Sequence, residues 1–231
     1  MNAGSKGRRP LASAPDMRQG PPITVHWSWP SRARLVLAAQ LYTGLALLFS
    51  LVYFGANMLA LHRQAEAHLY ADWELGIPFV PGAIAVYFSI SLVFALPVLA
   101  LDERGLSKMA RAFALCTCVA GVVFVAMPIR IGFERPPSVA GFESIYSALY
   151  RFDAPFNTVP SLHIGYSTLI LWTLASGTAS RPARLALVGW WLAICASVLF
   201  VHQHHVVDVV TGIALGAASS WRLVFKRRDR A

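Results

Sequence analysis

The stretch Pro160-Ser-Leu-His-Ile-Gly-Tyr-Ser-Thr-Leu-Ile-Leu-Trp-Thr-Leu-Ala175 decides the architecture. From Ile164 to Ala175 it carries no charge and reads as helix. Proline suits a first helical turn, because its missing N–H would have no partner there. The spacing predicts a helix from Pro160, with Asn157 and Thr158 as caps. Ser161 and His163 then stand at a helix N-terminus, where free N–H groups and the dipole attract anions. A cap residue beside an interfacial histidine is the plain alternative. A second cluster, His202, His204 and His205 with Asp208, lies one helical hairpin further on and favours chemistry.

The rest of the chain repeats the apolar pattern. It has 231 residues, 56% hydrophobic and 13% charged. A soluble domain would carry about 25% charged residues. Runs near the roughly 20 residues that cross a bilayer predict six membrane helices. They lie at about Leu35–Leu61, Ile77–Leu101, Met109–Met127, Pro160–Ala175, Leu185–Val201 and His205–Val224. The expected fold is an all-α, integral-membrane six-helix bundle over residues 34–225. Residues 1–33, rich in Pro, Gly, Ser and Arg, read as a mobile tail, with Trp27 and Trp29 at the bilayer surface. The tail is too long and polar to open a secretory signal. Residues 226–231 form a basic tail. The long loop 128–159 holds a predicted amphipathic surface helix over Phe142–Tyr150.

The formal charge is +9, yet the basic residues flank apolar runs and no nucleic-acid motif is present. All but four of the 20 Lys and Arg fall on the face shared by both termini and the 102–108 and 176–184 turns. The other face keeps only Arg63, Arg130, Arg135 and Arg151. The positive-inside rule therefore predicts cytoplasmic termini in a multi-pass protein of a plasma or bacterial inner membrane. It also places His163 and His204 together at the outer face. Cys116, Cys118 and Cys195 lie in apolar runs and read as small core residues.

His204 and Asp208 are four apart, one turn on a helix face. A carboxylate that accepts a hydrogen bond from one ring nitrogen leaves the other more basic, as a nucleophile or base requires. A self-satisfied structural pair is the alternative. The spacing of the histidines does not suit zinc, and neither a metal nor a cofactor is expected. Arg130 and Arg135 open the outer loop and can grip a phosphate, whereas Arg151 and Glu134 read as solvent or loop partners.

Three blocks in order resemble the type 2 phosphatidic acid phosphatase superfamily. Arg135-Pro136 fits the end of the first block. Pro160, Ser161 and His163 fit Pro-Ser-x-His. Ser197, His204 and Asp208 fit the spacing of the third. Ile77-Pro-Phe-Val-Pro81, with Tyr87 and Ser89, and His204-His205-Val-Val-Asp208 look like the inositol phosphorylceramide synthase branch. Two positions depart from the pattern. The first-block lysine falls at Pro128, with Arg130 as a substitute, and the third-block arginine falls at Val198.

The resemblance implies that His204 attacks phosphorus, Asp208 orients it, and His163 protonates the leaving group and then activates the acceptor. Ser161, Arg130 and Arg135 would hold phosphate oxygens, without a metal. The expected activity is that of a membrane lipid-phosphate phosphatase, acting on a lipid phosphate or diphosphate at the outer leaflet. Transfer of a phospho-head group to a lipid alcohol is the alternative within the family. From another class, a small transporter or scaffold would use Asp208 and the histidines as a proton relay, but no inverted repeat or matched broken helices support it.

Overall fold

The structure is a computed structural model and describes residues 23–224. The expected tail up to residue 22 and the basic tail 226–231 lie outside the described residues. Among the described residues the chain is all-helical. Three helices are long and apolar enough to cross a membrane: Arg32–His62 (α1), Glu103–Ala126 (α5) and Arg181–Phe200 (α8).

Between α1 and α5 the expected single helix 77–101 is broken. Two 3-10 turns, Asp72–Gly76 and Pro81–Ala83, lead into three short pieces: Ile84–Phe88 (α2), Ile90–Val93 (α3) and Leu96–Ala100 (α4). The breaks have local causes. Pro97 has no N–H to donate, and Ser89 Oγ bonds back to the Val86 carbonyl at 2.6 Å. The Val98 N–H takes the Ala95 carbonyl, and the released Phe94 carbonyl accepts the Tyr42 hydroxyl at 2.6 Å.

Two expected boundaries also move. Residues 102–108 are not a separate turn, because Asp102 caps α5 through the Gly105 N–H at 2.7 Å. Arg181-Pro182 does not mark a turn either. It opens α8, with Ser180 as cap and proline in the first turn. The loop helix appears as Glu143–Phe152 (α6), close to expectation.

The centre of the bundle is Leu162–Gly177 (α7). Its residues are buried on nearly every side, as the absence of a polar face requires. It packs most extensively on Val206–Val224 (α9). Small residues let the two backbones approach. A Cβ at Gly216 would stand 2.4 Å from the Gly165 carbonyl oxygen, and one at Gly212 would stand 2.6 Å from that of Ser161. The Ser161 N–H also donates to the Asp208 carbonyl at 3.1 Å. This contact fixes the start of α7 against the first turn of α9, where the functional residues lie.

Candidate active site

Ser161, not Asn157 or Thr158, caps α7, and Pro160 precedes the helix. The Ser161 Oγ accepts the Ile164 N–H at 3.3 Å. Asn157 instead takes a left-handed conformation, φ 59°, and its Nδ2 donates to the Tyr53 carbonyl at 3.0 Å. Asparagine tolerates that conformation better than most residues.

His204 lies just outside α9, not on it. The helix starts at Val206, so Asp208 occupies its first turn, where the dipole favours a carboxylate. Asp208 Oδ2 accepts the His205 N–H at 2.9 Å and faces His204 Nδ1 at 3.2 Å. With Nδ1–H donating to that carboxylate, Nε2 carries the lone pair. The Ser161 hydroxyl meets it at 3.0 Å. Asp208 is wholly buried, whereas the His204 side chain keeps 12% exposure.

His163 and His204 line one cavity of about 600 Å³, together with Tyr53, Tyr87, Asp153 and Asn157. Its remaining walls are largely aromatic and aliphatic. The His163 ring stacks on Tyr87, centroids 4.2 Å apart, and its Nε2 is buried without a partner among the described residues.

The two arginines stand apart from the histidines. Arg130 and Arg135 line a second cavity of about 560 Å³ with His68, residues 131–134 and Pro155. The Arg135 Nη1 donates to the Asp153 carbonyl at 2.7 Å, its guanidinium covers the Tyr150 ring, and its Nε is buried without a partner among the described residues. Asp153 joins the two sites, since it lines the histidine cavity and bonds the Tyr53 hydroxyl. Burial pushes the Asp153 carboxyl above its ordinary range, although the Tyr53 bond and the His204 and Arg135 charges pull it back. Arg130 is exposed and is tied only through its backbone, to Ala67 and His68. Val198, at the position of the missing arginine, is fully buried, and its carbonyl accepts the Gln203 and His204 N–H groups. Arg151 and Glu134 are exposed.

Sequence reasoning missed a second histidine–carboxylate pair. His205 Nδ1 lies 3.3 Å from Glu74 Oε2, and its Nε2 accepts the Gly132 N–H at 3.1 Å. Glu74 also accepts the Ala71 and Val206 N–H groups. The His205 ring is stacked between Tyr70 and Phe133. The signal was a glutamate closing an apparently polar loop, and nothing in its spacing to His205 marks a pair.

The model of the PAP2 superfamily matches residues 110–230, just over half of the chain. The protein belongs to the PAP2 superfamily. A search of curated proteins found no match, nor did one of solved structures. The matched region holds Ser161, His163, His204 and Asp208 as well as Arg130 and Arg135. PAP2 membership supports phosphatase or phosphotransferase activity on phosphate esters. Together with the three long apolar helices, it supports a membrane protein.

Proposed function

We propose that this PAP2 protein is a membrane lipid-phosphate phosphatase that works through a phosphohistidine on His204. The observation that carries the proposal is the relay from Asp208 Oδ2 through the His204 ring to Ser161. The carboxylate fixes the tautomer, so Nε2 is the atom available for attack on phosphorus. Ser161, now on Nε2, turns to a phosphate oxygen when substrate arrives. His163, on the same cavity wall, donates the proton to the leaving oxygen and then accepts one from the incoming nucleophile. Arg135 is the nearer of the two arginines and balances phosphate charge. Arg130 serves the outer rim.

We place all six apolar segments across the bilayer, counting α2–α4 as one broken span and including the shorter α7 and α9. Both termini are then cytoplasmic, and the cavity opens at the outer face. The synthase-like blocks favour a second reading, in which an alcohol in place of water discharges the phosphohistidine.

Ser161, His204 and Asp208 also have the order of a serine nucleophile with its base. Ser161 is fully buried and already serves as the cap of α7, which argues for a hydroxyl that donates rather than attacks. Purified protein is to be incubated with a phosphatidic acid radiolabelled in its phosphate, then quenched in acid and in base. A label on protein that survives base, is lost in acid and is absent from His204→Ala is expected. An acid-stable label on Ser161, or full turnover by His204→Ala, would sink the assignment.

A further inference from the structure

A carboxylate is an odd lining for a phosphate pocket, since it repels the group to be bound. Asp153 nevertheless lines the histidine cavity, with one oxygen held by the Tyr53 hydroxyl. Beside it, Asn157 is only 3% exposed and lines the same cavity, and its Oδ1 has no partner among the described residues. The His163 Nε2 is likewise buried and has no partner among the described residues, and it becomes an acceptor once it has given its proton to the leaving oxygen. An acceptor left unsatisfied away from water is destabilising. A cluster of such acceptors around one cavity calls for a ligand that brings O–H or N–H donors. Phosphate oxygens bring none once ionised, and a quaternary ammonium brings none at all.

We infer that Asp153 and Asn157 form a hydroxyl-binding subsite beside His163, and that it holds an alcohol on an apolar chain as the phosphoryl acceptor. This rests on the phosphohistidine reading above. The volume admits far more than a water molecule, and Phe54, Phe88 and Phe152 among its walls suit an apolar body behind the hydroxyl. Asn157 Oδ1 and Asp153 flank the acceptor hydroxyl, one of them holding its single proton until His163 takes it, and so orient its oxygen toward His204. The acceptor oxygen then forms a new P–O bond as the His204 N–P bond breaks. The electron pair of the broken bond returns to Nε2, and the hydroxyl proton passes to His163 Nε2. The product is a phosphoester, and the ring of His204 is restored.

Left-handed Asn157 carries the subsite on a backbone that glycine also adopts, so Asn157→Gly removes the side chain without forcing the turn. The other subsite variants are Asp153→Asn and Tyr53→Phe, the latter deleting the partner of Asp153.

Full-length protein is labelled with the radiolabelled phosphatidic acid, freed of substrate, and discharged in the presence of dioctanoylglycerol or of glycerol. The ratio of phosphoester to free phosphate is read. It does not depend on how fast the label was formed. Wild type is expected to favour dioctanoylglycerol over glycerol. The ratio should fall about tenfold in Asn157→Gly and in Asp153→Asn, as loss of one hydrogen bond to the acceptor implies. A labelled wild type whose ratio is unchanged by all three substitutions overturns the subsite alone. Equal capture of glycerol and dioctanoylglycerol overturns the apolar acceptor. A wild type that turns over substrate without ever carrying a label overturns the phosphohistidine and this proposal with it.

Discussion

Ser161 Oγ lies 3.0 Å from His204 Nε2, although 43 residues separate the two in sequence. The same hydroxyl oxygen accepts the Ile164 N–H and caps α7. One side chain therefore links helix stability to the reactive nitrogen. Ser161→Ala should cost about 1 kcal/mol through the lost cap. It should also lower kcat roughly a hundredfold, as loss of one donor to a transition-state oxyanion does. Melting curves and turnover measured together check this. A drop in melting temperature with kcat unchanged would leave Ser161 as a cap alone.

Arg135 should matter far more to turnover than Arg151. Its guanidinium is fixed by the Asp153 carbonyl and the Tyr150 ring, next to the histidine cavity. Arg151 is exposed on α6. Arg135→Ala should lower kcat/KM about a hundredfold. Arg135→Lys should recover only part of it, because lysine keeps the charge and loses the planar fork. Arg130→Ala should fall between Arg135→Ala and Arg151→Ala, since Arg130 lines the second cavity and not that of the histidines. Equal, mild losses at all three positions would mean that Arg135 is an anchor.

The histidines and Asp208 were legible because few residues can be ionisable at the ends of apolar runs without a partner. The spacing of four between His204 and Asp208 anticipated their contact, though by a different route. The helix starts two residues later than His204, and the pair forms across the N-terminal turn of α9. Asp153, Asn157 and Glu74 were not legible as site residues. They lie in loops, where polar side chains are ordinary, and their burial arises from packing between distant segments. The 77–101 segment misled for another reason. Its composition is continuous and apolar, and only the hydrogen bonds of Ser89 and Phe94 show how it breaks around Pro97. The arginines were read as one phosphate grip because both open the long loop on an otherwise Arg-poor face. The loop backbone between them, pinned at Gly132 and Ile131, keeps Arg130 out of the histidine cavity.

The proposed six-span arrangement makes a topological prediction. Ser138 lies in the long loop that bears the second cavity, and it is exposed. Reporter fusions at Ser138 and at the C-terminus should report opposite sides of the membrane, with the C-terminus inside. The same side for both would remove one span from the bundle and would separate the cavity from the outer leaflet.

The last prediction concerns the clasp of His205 on Glu74 and Gly132. Gly132 sits where a Cβ would stand 2.1 Å from a Tyr70 ring atom, so the 130–135 loop lies flat on the ring stack. His205 Nε2 must be unprotonated to accept the Gly132 N–H. Burial lowers the His205 imidazole below its ordinary value of 6.5 despite the nearby Asp208 and Glu74 charges, with His204 adding to the depression. Burial alone would raise the Glu74 carboxyl. The Ala71 and Val206 N–H bonds and the His205 ring outweigh it and hold Glu74 below its ordinary 4.5. Both groups therefore bind protons more readily in the unfolded chain. The His205 contribution to stability is complete above 6.5 and is lost as pH falls below it; that of Glu74 is complete above 4.5 and fades below that. Thermal stability in detergent should decline as pH falls from 6.5 to about 5. His205→Gln can still offer an N–H to Glu74 and an oxygen to Gly132, but it cannot take a proton. It should flatten the slope over that interval. Acid should also loosen the loop that carries Arg135, so KM should rise with falling pH in wild type more than in His205→Gln. Parallel stability and KM profiles in the two proteins would show that His205 does not govern the loop.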